Sequence, residues 1–396
     1  MNPNIAHRRA AGLSLVELMV AMLIGIILVL GMVQVFAASR AAYSLSEGMG
    51  RVQENGRFAL DFLQRDIRMA GHFGCVNDQA HMRKYENRPP SLATTFAAHP
   101  GLDFLSSIQG YEANGTAPGD ELDIPDVLAT GGNDYDPALP AEIAAATANR
   151  VDGSDILVLR FLAPEGVPVT AVGGTDDTPI FSFDPARWEV LRSGVENPGL
   201  FGVADCRNSV VFQAAAVNAG AGMVSAGSAS PINAAPAFTV KFTAGQANLH
   251  RAESVVYYIG VTDGRPSLYR VRFTAAPNGG LDTQSQELLE GVENMQLLYG
   301  QDRQLDPDEP PTGFIDRQLD AGGVEASVAT PADAWRRVGA VQLGLLAVSP
   351  QRAVSAQAED ANRLNALGVE YTTPDDGRYR AVYQSTVALR NRLYGN

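Results

Sequence analysis

The chain has 396 residues, of which 45% are apolar and 19% are charged, a composition typical of one large or two ordinary globular domains. It excludes disorder of the whole chain. Acids outnumber bases by 44 to 30, and the formal net charge of -14 opposes sequence-independent binding to phosphate backbones. We therefore expect no specific nucleic acid partner.

The strongest signal lies at the N-terminus, where the only charge between Arg9 and Arg40 is Glu17. As a helix, the segment Leu13–Ala38 would be roughly 39 Å long, more than the roughly 30 Å of a bilayer core. Arg8 and Arg9 precede it and favour a cytoplasmic N-terminus. We predict a single membrane span followed by an extracytoplasmic region.

A cleaved secretory signal peptide is the alternative interpretation, because small residues that suit a signal peptidase occur at positions 37–39. The apolar run is longer than the usual signal core of roughly 7–15 residues. It also contains the carboxylate of Glu17. An ionisable group within an apolar span costs about 2.5 kcal/mol or more at depth, so it normally has a partner and a function. Both features favour a retained segment.

The segment from Gly12 to Leu18 resembles the class III signal of type IV pilins and pseudopilins: a basic leader, Gly, four residues, Glu, then an apolar run. The resemblance implies that prepilin peptidase cleaves between Gly12 and Leu13 and methylates the new amine. Glu17 would be the fifth residue of the mature chain. Leu13 departs from the Phe most common in the family. Gly12, having no side chain, allows a peptidase to approach the backbone closely.

Glu17 is predicted to direct assembly. A lone carboxylate among apolar helices is strongly unfavourable, but the free amine of Leu13, in the same or an adjacent subunit, would neutralise it. The pair would then fix the register between neighbouring helices. The alternative is an unpaired Glu17 whose side chain reaches water at the membrane surface.

The helix is predicted to continue past the membrane to about Ala70, because no proline occurs between Pro3 and Pro89. Gly71 and Gly74 follow as natural helix stops. Apolar residues recur at three- and four-residue spacing and predict one buried stripe: Val52, Phe58, Ala59, Phe62, Leu63, Ile67 and Ala70. The predicted organisation is a leader (1–12), a membrane half of the helix (13–38), its amphipathic half (39–74) and a head (75–396).

The head is predicted to be rich in β-strands. Residues 77–153 favour a long loop region with short elements, and the Ala-, Gly- and Ser-rich tract 214–235 favours a flexible loop. A hairpin is predicted around a Gly-containing turn at 262–266. The predicted strands are Ile156–Leu162, Val167–Val172, Ser209–Ala216, Ala237–Phe242, Ser254–Val261, Leu268–Phe273, Met295–Tyr299, Val338–Val348 and Ala381–Leu389. The predicted fold class is α+β; the resemblance to pilins implies a long N-terminal helix packed on an antiparallel β-sheet-rich head.

Residues 57–75 and 335–391 resemble the helix end and the closing strands of PilW-type minor pilins. The resemblance implies a minor pilin of a type IV pilus that helps to initiate assembly and forms the tip complex. The implied partners are other minor pilins, the major pilin, prepilin peptidase, the inner-membrane assembly platform and, as an option, a large tip adhesin. The head would be periplasmic before reaching the pilus tip. A J-type pseudopilin of type II secretion and a membrane-anchored or secreted surface-binding module are the alternatives.

The two cysteines, Cys75 and Cys206, lie beyond the predicted span and therefore in an oxidising compartment. An isolated pair there is more often bridged than free, so we predict a disulfide. Two buried free thiols are the alternative. His72 and His81 near Cys75 could be proposed as metal ligands, but the cysteine is better used in a bridge.

An acidic, Pro-containing loop is the remaining candidate for a metal site. It lacks the ligand order of an EF-hand, so a solvated loop is favoured over calcium. Its acids are Asp302, Asp306, Asp308, Glu309 and Asp316. The sequence contains no nucleophile elbow, Walker loop or zinc-protease motif. We expect no catalytic residues, no metal and no cofactor, and hence a protein that is not an enzyme.

Overall fold

The computed structural model describes residues 14–77, 92–96, 98–227, 232–233, 238, 240–306, 309, 311–353 and 363–391. One long helix, α1 (Leu15–Met69), dominates these residues. The other helices are short: α2 (Ala141–Ala146), α3 (Trp188–Arg192), α4 (Ala321–Ala326) and α5 (Pro331–Arg336). The α1 helix ends because Ala70 has an extended ψ of 131° and Gly71 adopts a φ of 76°.

The strands run through the rest of the described chain. They are β1 (His72–Phe73), β2 (Val76–Asn77), β3 (Leu92–Thr94), β4 (Ile108–Ala113), β5 (Glu121–Asp123), β6 (Tyr135–Asp136), β7 (Ile156–Leu162), β8 (Val167–Pro168), β9 (Ala171–Gly174), β10 (Pro179–Ser182), β11 (Leu200–Ala204), β12 (Ser209–Asn218), β13 (Met223–Ala226), β14 (Asn248–Thr262), β15 (Arg265–Ala275), β16 (Leu281–Glu290), β17 (Val292–Asp302), β18 (Ile315–Leu319), β19 (Val338–Arg352), β20 (Arg363–Ala366), β21 (Val369–Thr372) and β22 (Arg378–Ala388). The predicted α+β class with a long N-terminal helix is confirmed.

The C-terminal half of α1 packs on an antiparallel sheet of order β18-β17-β19-β22. Gln64 donates a hydrogen bond to the Ser385 hydroxyl on β22 at 2.8 Å, and Asn391 donates to the Arg68 carbonyl at 2.9 Å. Leu63 and Ile67 are fully buried in a core shared with this sheet. The last strand, β22, therefore lies along the C-terminal half of α1.

A second, larger sheet is organised around the long strand β14. The first residues of β14 pair with β8 and β11, and its later residues pair with β7 on one side and β15 on the other. Strands β12, β13, β10 and β9 extend the sheet beyond β11. A separate aromatic core lies under that extension, with Phe181, Phe201 and Phe212 among its buried residues. This extension makes the head much larger than the sheet that carries α1.

Several sequence predictions in the head need correction. The strand Ile156–Leu162 and the hairpin of β14 and β15 are confirmed, whereas Val167–Val172 divides between β8 and β9. The described part of 77–153 contains short elements, as predicted: β3, β4, β5, β6 and α2. In the tract 214–235, the end of β12 pairs with β13, because small Ala and Ser side chains fit a pleated sheet; the loop prediction was wrong there. The strand predicted at Ala237–Phe242 is absent from its described residues, 238 and 240–242.

Candidate assembly site

The N-terminus of α1 is closed by a reciprocal pair of hydrogen bonds. The Glu17 carboxylate accepts a bond from the Ser14 backbone N–H at 2.9 Å, and the Glu17 N–H donates to the Ser14 hydroxyl at 3.2 Å. This capping box satisfies donors that a helix start leaves unpaired. The spacing of Ser14 and Glu17 could have indicated it from sequence. Gly12 and Leu13 lie outside the described residues, so the processing site and a pairing of the Leu13 amine with Glu17 stay predictions.

The first half of α1 exposes its apolar side chains. Leu15 is 74% exposed, Phe36 is 69% exposed, and the most apolar stretch of the helix has no part buried in the protein. The helix is long and apolar enough to cross a membrane. An unburied apolar surface of this length requires a lipid or helical environment. The exposed first half of α1 fits the membrane-anchored end of a pilin.

The second half of α1 approaches the sheet through small residues. A Cβ at Gly48 would lie 2.9 Å from the Ala353 Cβ, and a Cβ at Gly56 would overlap the Tyr383 ring. Most of the predicted stripe is buried, but Phe58 is 44% exposed and Phe62 is 40% exposed. Their assignment to the buried face was wrong. The glycines, which the apolar pattern does not count, occupy the sheet-facing positions in their place.

A disulfide joins Cys75, just after α1, to Cys206 in the turn between β11 and β12, with Cα atoms 4.7 Å apart. The rings of His72 and His250 lie nearby, with centroids 6.2 Å apart. Burial lowers the pKa of His72, and the neighbouring His250 lowers it further. Cys75 thus has its sulfur in the bridge, and His81 lies outside the described residues.

The acidic loop is organised by protein donors. The buried Asp302 carboxylate accepts hydrogen bonds from the backbone N–H groups of Gln304 and Gly313 and from the Thr312 hydroxyl. The Arg337 guanidinium donates to the carbonyls of Asp306 and Glu309. Glu309 contributes its backbone, Asp316 instead pairs with Arg303 at 3.1 Å, and Asp308 lies outside the described residues. The described residues contain no group of three acids, His or Cys arranged to hold a metal ion.

Two buried charged groups link strands of the head, and sequence reasoning missed both. Arg380 on β22 makes two hydrogen bonds, at 2.7 and 3.0 Å, to the carboxylate of Glu293 on β17, and it also binds Asp376. The Asp155 carboxylate accepts hydrogen bonds from Ala113 on β4 at 3.0 Å and from Leu297 on β17 at 2.7 Å. The second group therefore connects the larger sheet to the sheet that carries α1.

Comparison with known families gives one match at each end of the chain. The prokaryotic N-terminal methylation motif matches residues 7–33, which include Gly12, Leu13 and Glu17. The family described as Type IV Pilus-assembly protein W matches residues 256–391, which comprise the last part of β14 and all of β15 to β22. No curated protein and no solved structure matches the chain. With these two matches, the predicted resemblance to PilW-family type IV pilins is confirmed over the residues that they cover.

Proposed function

We propose that this chain is a minor pilin that helps to initiate a type IV pilus and forms part of its tip complex. Prepilin peptidase cleaves it after Gly12 and methylates Leu13. The protein is first held in the inner membrane by α1, with its head in the periplasm. The methylation motif at residues 7–33 supports this processing, and the PilW match supports the role in assembly.

The observation that carries the tip assignment is the size of the head relative to its single helix. Among the described residues, the sheet that packs on α1 has four strands, but the head adds a sheet of 13 strands beside it. In a shaft, subunits pack side by side around a core of helices, and a head of this width would clash with its neighbours. At the end of the filament one side of the head is free.

The proposed partners are other minor pilins, the major pilin, the inner-membrane assembly platform and, above the head, a large adhesin.

Glu17 gives assembly its register in this proposal. The capping box leaves its carboxylate at the very start of α1, next to the position where cleavage would create the Leu13 amine. Within an apolar helix bundle, the Glu17 carboxylate and the amine can pair in only one register of the two helices. Every other register leaves both charges unpaired and is therefore unfavourable.

The test is a strain that lacks this chain and is complemented with the wild-type chain or with Glu17→Ala. The wild-type chain is expected to restore surface pili, and gold-labelled antibody is expected to mark filament ends. Glu17→Ala is expected to accumulate in the membrane without restoring pili. Pili that are unchanged by the deletion would contradict the proposal. Loss of type II secretion with intact pili would instead assign the chain to a secretion pseudopilin.

A further inference from the structure

Strand β16 is an exposed edge of the larger sheet. It pairs with β15 over most of its length, and it has no second strand partner among the described residues. Its side chains from Asp282 to Glu287 are exposed on both faces of the sheet. An edge with open backbone groups can accept a strand from another chain, and proteins block such edges with Pro, charged side chains or bulges. Strand β16 contains no Pro or Lys, and its irregularity lies opposite Leu268 and Tyr269, at the end of the strand away from Thr283.

The hairpin turn before β15 fixes which backbone groups face outward. Its two turn residues, Asp263 and Gly264, have φ values of 52° and 74°, and Thr262 pairs with Arg265 across them. In a two-residue turn of this kind, the flanking residues form a hydrogen-bonded pair. Alternation along β15 then directs the backbone of every second residue, beginning with Pro266, toward β16. A hydrogen bond supports this assignment: the Gly291 N–H, just after β16, donates to the Pro266 carbonyl at 2.8 Å.

The same alternation assigns the backbone groups of β16. Arg270 faces Gln286 in the register, so the backbone of Gln286 points inward to β15. Thr283, Ser285 and Glu287 therefore direct their N–H and carbonyl groups outward. The N–H of Thr283 is capped by the Asp282 carboxylate at 2.8 Å, outside the β15 ladder. Ser285 is the central residue of the open edge.

Two phenylalanines of α1 lie on the helix flank that faces this part of the sheet. Asn55, Phe58, Phe62 and Asp66 follow one another at helical spacing on one stripe. Asn55 donates to the Glu290 carbonyl at the end of β16 at 2.8 Å, and Asp66 accepts from a tyrosine hydroxyl on β14 at 2.5 Å. Between these two fixed ends, both rings stay about two-fifths exposed. Exposed aromatic rings beside an open edge are typical anchors for a protein partner.

We propose that the β16 edge accepts a strand from the head of an adjoining pilus subunit and that Phe58 and Phe62 contact the same subunit. This inference rests on the proposed function. The exposed apolar surface of α1 begins at Leu15 and resumes at the two phenylalanines. A subunit that packs its own helix along this surface brings its head beside β16. We therefore infer that the partner is the subunit whose helix packs along the exposed apolar surface of α1.

Charge favours a different subunit over a second copy of this chain. Strand β16 carries Asp282, Glu287 and Glu290 and no basic residue, and the whole chain has a formal charge of -14. Two copies would place two acidic strands side by side, which is unfavourable across a strand pair. A strand that alternates polar residues with Lys or Arg would pair with β16 and compensate its charge.

The test compares Ser285→Pro with Ser285→Ala in the full-length chain. Proline removes the outward N–H at the centre of the edge and leaves the ladder to β15 intact, whereas alanine keeps the N–H. Each variant is co-expressed with each tagged pilin subunit of the same host and recovered from membranes in detergent. We expect Ser285→Pro and the double change Phe58→Ala, Phe62→Ala to lower recovery of one pilin about tenfold or more. Ser285→Ala and Phe314→Ala, which truncates an exposed ring on the β17–β18 loop, are expected to retain it.

A photo-crosslinking residue at position 285 of the otherwise unaltered chain gives an independent measurement. We expect it to capture a strand in the head of that pilin, identified by mass spectrometry of the cross-linked peptide. Wild-type recovery with Ser285→Pro, or capture only of a second copy, would overturn the inference. The proposed function would still stand if deletion of the chain abolishes pili. If deletion leaves pili unchanged, the proposed function itself fails.

Discussion

Gly56 of α1 lies directly against Tyr383 of β22, so that a Cβ at position 56 would overlap the tyrosine ring. The close approach lets the helix lie on the sheet. Alanine normally stabilises a helix by about 1 kcal/mol relative to glycine, but here the clash reverses the sign. We expect Gly56→Ala to lower the free energy of unfolding by about 1–3 kcal/mol.

Gly50 is the matched control for this prediction, because a Cβ there would have no neighbour within 4 Å. Gly50→Ala is expected to leave the free energy of unfolding unchanged or to raise it by up to about 1 kcal/mol. Denaturant titration followed by tryptophan fluorescence measures both variants. Equal effects at the two positions would show that α1 does not pack on β22 as described.

The ion pair of Arg380 and Glu293 predicts a large effect from a single substitution. Both side chains are nearly fully buried, with 2% and 4% exposure. Arg380→Met would leave Glu293 as a buried carboxylate without its principal partner, which costs about 3–5 kcal/mol. Arg265→Met, which removes an exposed pair with Glu290, is expected to cost at most about 1 kcal/mol. Similar thermal midpoints for the two variants would contradict the buried pairing.

The buried carboxyls of Glu112 and Asp155 predict a stability that falls with rising pH. Burial and the neighbouring Asp155 raise the pKa of Glu112 above its usual 4.5, and Asp320 adds to this effect. The folded state thus holds a proton that the unfolded state releases above about pH 4.5. The contribution of this group is fully present below that pH and is lost as pH rises toward the folded pKa. Burial also raises the pKa of Asp155, which adds to the same trend.

Glu112→Gln tests this coupling, because the amide keeps the shape and cannot ionise. We expect the variant to lose stability less steeply than the wild type between about pH 5 and pH 9. The measurement is the denaturation midpoint across that range. Parallel profiles for the two proteins would show that Glu112 is already ionised in the folded state.

The disulfide of Cys75 and Cys206 spans 131 positions and is expected to stabilise the head. The chain-entropy estimate for a loop of this length is about 5 kcal/mol as an upper figure. The double change Cys75→Ser, Cys206→Ser should lower the thermal midpoint, and reductant should lower that of the wild type to the same value. Two reactive thiols in unreduced native protein would rule out the bridge.

Periodicity and composition predicted the long helix, the β-rich head and most of the central strands, because those segments bury continuous apolar runs such as Ile156–Leu162. They missed β16, whose exposed polar residues give no apolar pattern. They also placed Phe58 and Phe62 in the core, since a periodic pattern cannot tell that Gly48 and Gly56 bring the backbone closer to the sheet. The pairs of Arg380 with Glu293 and of Ala113 with Asp155 join residues distant in sequence. Spacing alone could not reveal them.

The mature N-terminus tests the central claim most directly, because it depends on Gly12, Leu13 and Glu17 together. Mass spectrometry of the protein isolated from its host membrane is expected to find a chain that begins with N-methylated Leu13. That result would support processing by prepilin peptidase and retention of α1 as the assembly helix. A chain that begins near Ser39 or Arg40 would show a conventional signal peptide and contradict the account.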